Sequence, residues 1–150
     1  MSALLFTMSL RLWHPIRAAS DVISVLNLPV RFAHSVGEPR RTPKGTLLAG
    51  VYGETYCCFL LQEKTRDRLD KCVARWCQLL QTHNDFLQDF SRTGGKTEFY
   101  VSIFLDGDRG FELDNEMLKR MDDAGLGLSI EMYRLGDSEL GKIQDGAERP

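Results

Sequence analysis

Long hydrophobic runs are missing from this chain of 150 residues, and so are the usual sequence signatures of metal sites. No segment reaches about 18 consecutive apolar residues, so the sequence predicts no membrane-spanning helix. The four cysteines form neither a C-x-x-C motif nor a zinc-ribbon spacing; they are Cys57, Cys58, Cys72 and Cys77. We therefore expect no metal and no cofactor, and cysteines that pack as small apolar side chains.

Catalytic signatures are also scarce. The chain has three histidines and no H-E-x-x-H, H-x-H or G-x-S-x-G pattern. The segment Thr93-Gly94-Gly95-Lys96-Thr97 ends like a phosphate-binding loop, but Phe90 stands where that motif needs a glycine. The sequence favours a protein that is not an enzyme. The catalytic alternative is a small hydrolase-like enzyme in which His14 and His34 meet a carboxylate.

The amino-terminal segment does not have the pattern of a secretory signal. It has no basic leader and no small-residue cleavage site before His14 and Pro15. This predicts a cytoplasmic protein, in which the cysteines stay reduced.

The apolar residues follow the periods of an α+β protein. Alternation predicts strands over 3–12, 30–36, 98–105 and 126–132, and one long or two short strands over 47–62. Helical spacing predicts a short helix over 18–26, a long one over 65–90 capped by Thr65, and a third after the capping residue Asp114. Two glycines and two prolines predict an irregular loop over 37–45.

This order predicts a two-layer α+β sandwich, with an antiparallel or mixed sheet and helices mainly on one face. We expect one domain over 1–135 and a polar carboxy-terminal tail over 136–150. If the protein forms a homodimer, an unpaired edge strand or an exposed apolar stripe is the expected contact.

Three segments share their order and residues with a known family. A short helix ends in Leu26-Asn27-Leu28-Pro29, the loop Gly37-Glu38-Pro39-Arg40-Arg41 follows, and a helix over 113–118 leads into the strand 126–133. With these segments the chain resembles, over 3–133, the bacterial family catalogued as domain of unknown function 4279. The resemblance implies a small α+β domain and no established activity. Bacterial and phage domains of this kind often act as immunity or inhibitor proteins.

Charge is close to balanced in total but is segregated along the chain. The formal net charge is −2, which does not favour a general nucleic-acid binder. Between residues 31 and 44, four basic residues outnumber the single acid Glu38, whereas residues 106–123 hold seven acids and three basic residues. Opposed patches of this kind steer association with a charged partner.

These observations predict a non-catalytic protein-binding domain, with an immunity or inhibitor protein that neutralises a toxin or defence nuclease as the specific hypothesis. The candidate contact residues are the charged ones: Arg40, Arg41, Lys44, Asp106, Asp108, Glu112, Asp122 and Asp123. A second alternative is a nucleic-acid adaptor that binds through the basic loop 37–45.

Overall fold

A computed structural model of the chain describes residues 3–135, which form a five-stranded sheet, a layer of helices and a separate two-stranded hairpin. The strands are β1 (Leu4–His14), β2 (Val30–His34), β3 (Pro39–Arg41), β4 (Leu47–Val51), β5 (Thr55–Asp67), β6 (Lys96–Leu105) and β7 (Leu126–Arg134). The α-helices are α1 (Ala19–Leu26), α2 (Leu69–Leu80), α3 (Asn84–Arg92) and α4 (Asn115–Asp123).

The large sheet has the strand order β2-β5-β1-β6-β7. Its pairs are antiparallel except for β6 and β7, which run parallel because α4 crosses over between them. Alternate residues of β1 face the helices, and the core contains Phe6, Met8 and Leu10 beside Val22 of α1 and Leu87 of α3. The predicted α+β class with a mixed sheet and helices on one face is confirmed.

The predicted helix over 65–90 is wrong at its start and in its middle. Thr65 does not cap a helix: it pairs with Phe6 inside β5, because β1 offers a partner along the whole length of that strand. Helix α2 begins only after Arg68. A 3₁₀ turn, Gln81–His83, then separates α2 from α3, where a run of poor helix formers weakens the helix.

The prediction of an irregular loop over 37–45 is also wrong in part, because Pro39–Arg41 forms β3 and pairs with β4. Pro39 is tolerated because it is the first residue of an edge strand, where its missing N–H removes no sheet hydrogen bond. Gly45 closes the turn with a φ of +88° and donates its N–H to the carbonyl oxygen of Thr42 at 2.8 Å.

The predicted limits of the last helix are confirmed. Asp114 accepts a hydrogen bond from the backbone N–H of Met117 at 2.9 Å, and Gly125 ends the helix with a φ of +69°. No helix within 3–135 combines the length and the hydropathy needed to cross a bilayer. The polar tail predicted over 136–150 lies outside the described residues.

Candidate functional site

The basic hairpin and Asp106 lie at opposite ends of the sheet. The hairpin β3–β4 follows His34, which pairs with Tyr56 beside the end of β1. Asp106 follows β6 at the other end, where Phe104 pairs with Leu5. Strands of about ten residues separate these ends by roughly 30 Å. A single compact interface therefore contains the basic residues or Asp106, and not both.

The acidic candidates are themselves divided. Asp106 pairs with Arg66 at 2.8 Å and with Arg109 at 3.4 Å. Asp108 and Glu112 lie in the same exposed segment before α4. Asp122 and Asp123 lie at or near the other end of α4, close to the start of β7. The structure thus does not bring the five acidic candidates into one patch, and Asp106 is partly neutralised by arginines of its own chain.

The basic candidates form a coherent surface on the hairpin. Arg40 donates to the carbonyl oxygen of Ala49 at 3.3 Å, and Arg41 donates to that of Gly45 at 3.2 Å. With Lys44 at the turn, all three are exposed, and none forms an ion pair within residues 3–135. Seven other arginines of the described chain each pair with a carboxylate. The hairpin therefore presents positive charge that the described chain leaves uncompensated.

Exposed apolar side chains adjoin these cations. Leu47 is 61% exposed and Val51 58% exposed, and Leu48 is exposed as well. Sequence reasoning missed the exposure of these side chains, because β-branched and apolar residues predict a strand without showing whether another layer covers that strand. The signal that could have pointed to them is the glycine spacing around β4, since Gly45 and Gly53 flank this short strand and Gly50 lies within it.

The base of the hairpin is fixed to the large sheet. The Tyr52 ring stacks on His34, with ring centroids 3.5 Å apart and planes 7° from parallel. The Tyr52 hydroxyl also donates to the carbonyl oxygen of Arg41 and accepts from its N–H, at 3.3 and 3.2 Å. Burial lowers the pKa of His34, against the opposing charges of Glu38 and Glu54. The neutral His34 ring is thus favoured in the stack. The ring stack and the two hydrogen bonds together fix the base of the hairpin, from which its tip projects.

The histidines of the catalytic alternative lie on opposite faces of the sheet. His14 pairs with Thr55, whereas His34 pairs with Tyr56, the next residue of β5, and successive residues of a strand point to opposite faces. His14 packs against Phe90 in the helix layer, with ring centroids 4.8 Å apart. The structure does not bring the two histidines together. Within residues 3–135, no cluster of three or more His, Cys, Asp or Glu side chains is arranged to hold a metal ion.

No protein-family model, curated protein or solved structure matches this chain. Its function is therefore inferred from the charge, exposure and contacts of its own residues.

Proposed function

We propose that this chain is a non-catalytic protein-binding domain that docks its β3–β4 hairpin onto an acidic surface of a partner protein. The observation that carries the proposal is the pair Arg40 and Arg41, which lack carboxylate partners within the described chain and lie beside exposed Leu47 and Val51. The specific form of the proposal is an immunity or inhibitor protein that neutralises a toxin or a defence nuclease in the bacterial cytoplasm.

The hairpin has the chemistry of an interface rather than of a structural element. A two-stranded ribbon is only marginally stable in water, and every residue of β3 and β4 is exposed. Arginine is enriched among the residues that dominate binding energy, since its guanidinium pairs with carboxylates through two parallel hydrogen bonds. Exposed leucine and valine add apolar area that a partner can bury. An acidic surface with a shallow apolar pocket complements this combination.

The same features argue against a second copy of the chain on this surface. Two hairpins placed together would bring Arg40, Arg41 and Lys44 of both copies into proximity. Like charges that face each other across an interface cost on the order of several kcal/mol of binding free energy. The complementary surface therefore belongs to a different, acidic protein. The reduced thiols expected in the cytoplasm agree with the four unpaired, buried cysteines.

The test is affinity purification of the full chain from its native host, followed by calorimetry with the purified partner. Wild type is compared with the charge reversal R40E/R41E and with L47S/V51S. The matched control is K71E/K119E, which reverses two exposed charges on helices. We expect the first variant to weaken binding more than about 100-fold and the second more than about tenfold, with the control unchanged.

Two results would overturn the proposal. One is a partner affinity that stays within about twofold of wild type in both hairpin variants. The other is a hairpin-dependent ligand that is nucleic acid, with affinity falling along a log–log salt slope of about −3 for three cations. That second result would establish the nucleic-acid adaptor instead.

A further inference from the structure

Strand β7 forms one edge of the large sheet and directs half of its backbone polar groups away from it. Among the strands of residues 3–135, β7 pairs with β6 alone. The N–H of Leu135 donates to the carbonyl oxygen of Leu105 in β6 at 2.8 Å. Successive residues of a strand direct their N–H and C=O groups to opposite sides, so the odd-numbered residues of β7 bond β6. The even-numbered residues from Leu126 to Arg134 therefore direct theirs to the open edge.

The edge at β7 lacks the features that protect the opposite edge at β2. β2 has five residues and a register shift between Val30 and Phe32. β7 has nine residues in continuous register with β6, and it contains neither proline nor lysine. Short length, bulges, proline and lysine are the means by which edge strands avoid pairing with another chain. Of the two edges of the large sheet, β7 is therefore the one open to a further strand.

Apolar side chains line the same edge. The even-numbered residues of β7 face the helix layer, where Leu128 and Ile130 are half-buried against the core. Met132 continues this row and is 61% exposed, and Leu118 of α4, the helix that packs against β7, is 49% exposed. The edge thus offers apolar area beside its free backbone groups.

We infer that β7 pairs in antiparallel orientation with β7 of a second copy of the chain, which joins two five-stranded sheets into one. Ile130 is the middle of the five outward-facing residues, so the twofold axis that pairs the whole strand passes there. Met132 then packs against Leu128 of the partner subunit in the helix layer. On the other face, Glu131 lies opposite Ser129 of the partner subunit, so no residue of the pairing is directly opposite a like charge.

Charge is complementary at both ends of this pairing. Arg134 lies opposite Leu126 of the partner subunit, and thus beside the carboxyl end of that subunit's α4. Asp122 and Asp123 lie at this end of the helix, which also carries the partial negative charge of a helix carboxyl terminus. All three charged residues are exposed, and none forms an ion pair within residues 3–135. The second copy supplies the opposite charge at each end.

The size of the contact implies a weak, reversible dimer. Nine paired residues extend over roughly 30 Å, and a contact about 15 Å wide buries on the order of 1,000 Å² of both copies together. Interfaces of this size belong to transient complexes, so we expect a Kd of about 10–100 µM. β2 lies at the far edge of each sheet, so both β3–β4 hairpins stay accessible. The dimer is therefore independent of the proposed docking function.

The test is sedimentation velocity of the full chain from about 5 to about 500 µM, a range that brackets this Kd. M132K places a lysine on the edge and is expected to weaken the dimer more than about tenfold, with Tm unchanged because the side chain is exposed. L79K is the matched control, since Leu79 is 53% exposed on α2, and it is expected to dimerise as wild type does.

A charge exchange tests the register. R134E is expected to weaken the dimer about fivefold, and D123R/R134E is expected to return to within about twofold of wild type, because the exchanged charges again attract across the twofold axis. R40E/R41E is expected to leave the dimer unchanged and to lose only partner binding, which separates this inference from the docking proposal.

Amide hydrogen exchange identifies the contact itself. The odd-numbered amides of β7 are bonded to β6 in each copy and are expected to exchange slowly at every concentration. The even-numbered amides, from Leu126 to Arg134, are expected to exchange rapidly in the dilute monomer and slowly in the concentrated dimer. Contact elsewhere on the molecule would not produce this alternation.

Three outcomes would overturn the inference. The first is a chain that stays monomeric throughout the concentration range. The second is a dimer that M132K and R134E leave intact, or that forms without slower exchange of the even-numbered amides. The third is slow exchange of those amides in the monomer, which would show that another segment of the same chain covers the edge.

Discussion

His14 shows how a residue that suggests catalysis can instead hold a strand end in place. Its Nδ1 accepts hydrogen bonds from the backbone N–H groups of Ile16 and Arg17, at 3.1 and 2.9 Å. Because Nδ1 carries no proton, Nε2 carries it and donates to the Thr93 hydroxyl at 2.9 Å. Burial, reinforced by the charge of Arg17, lowers the pKa of His14 from 6.5. The folded state therefore requires the neutral ring.

This requirement predicts a loss of stability on mild acidification. The pKa is lower in the folded than in the unfolded chain, so the unfolded chain binds more protons as pH falls through 6.5. The stabilisation is complete above that pH and declines below it, until the folded state is protonated as well. We expect Tm to fall between pH 7 and pH 5, measured by calorimetry, and His34 contributes in the same direction.

The variant H14Q isolates the contribution of His14. Glutamine does not titrate, so H14Q is expected to have a lower Tm at pH 7 and a smaller fall of Tm towards pH 5. Asp70 and Asp89 titrate at more acidic pH than this window, because hydrogen bonds from their arginine partners lower their pKa values below the ordinary range of an aspartate. A fall of Tm as steep in H14Q as in wild type would contradict the assignment.

Sequence reasoning could not distinguish the two roles of His14. The spacing of residues near Pro15 shows only that a strand ends there. The contacts that settle the role come from Thr93 and Phe90 of a distant helix end. In contrast, the burial of the four cysteines followed from their apolar neighbours and is confirmed, with the pKa of Cys57 raised by burial to about 12.

At the level of elements, local signals were reliable where the structure depends on adjacent residues. Asp114 was predicted as a cap because an acidic residue precedes a helical apolar pattern, and its side chain does bond the backbone of Met117. The prediction of one long helix failed because Thr65 pairs with β1, about 60 residues earlier in the chain, and no local pattern encodes so distant a contact. The prediction of an irregular loop failed for a different reason: β3 pairs with the nearby β4, and the two prolines and two glycines of 37–45 conceal this short hairpin.

The cap of α4 by Asp114 can be tested by substitution. D114A removes the acceptor for the Met117 N–H and is expected to lower the free energy of unfolding by about 1 kcal/mol. Chemical denaturation measures this change. D114N is the control, because an asparagine oxygen can still accept that bond, and it is expected to lose less than half as much. Equal losses in both variants would mean that the charge, and not the cap, matters.

The turn between α3 and β6 gives a second prediction. A Cβ at Gly95 would lie 2.4 Å from Cδ1 of Phe90, a ring fully buried in the core. The ring cannot move aside without repacking, so G95A is expected to destabilise the fold by about 2 kcal/mol. G127A is the matched control, because its Cβ would meet Glu98 Cβ at an ordinary 3.6 Å. A similar stability for both variants, measured by denaturation, would contradict the close packing of Gly95 against the Phe90 ring.

For the whole molecule, the segregation of charge was visible in the sequence, but its geometry was not. The hairpin and Asp106 lie at opposite ends of the sheet because of the strand directions, and these follow from pairings between distant strands. The polar contacts on the sheet face away from the helices were likewise hidden. Arg11, Glu98 and Ser129 come from three strands, and only the order β1-β6-β7 makes them neighbours.

The hairpin is the part of the molecule on which the fold depends least. Every residue of β3 and β4 is exposed, and no residue of the segment 29–54 belongs to the buried core or is packed against it as a partly buried apolar side chain. His34 and Tyr56 pair directly, so a short turn can connect β2 to β5. Shortening this connection also lowers the entropic free-energy cost of closing the loop, by about 1 kcal/mol.

We therefore expect a chain in which Asn-Gly replaces residues 38–51 to keep its Tm within about 5 °C of wild type while losing partner binding. The same chain is expected to keep the amide signals of β1, β6 and β7, since β5 lies between these strands and β2, from which the replaced segment extends. Calorimetry and the NMR spectrum measure both. A large fall in Tm would show that the hairpin serves the fold, because a docking element that projects from its base contributes to binding and not to the core.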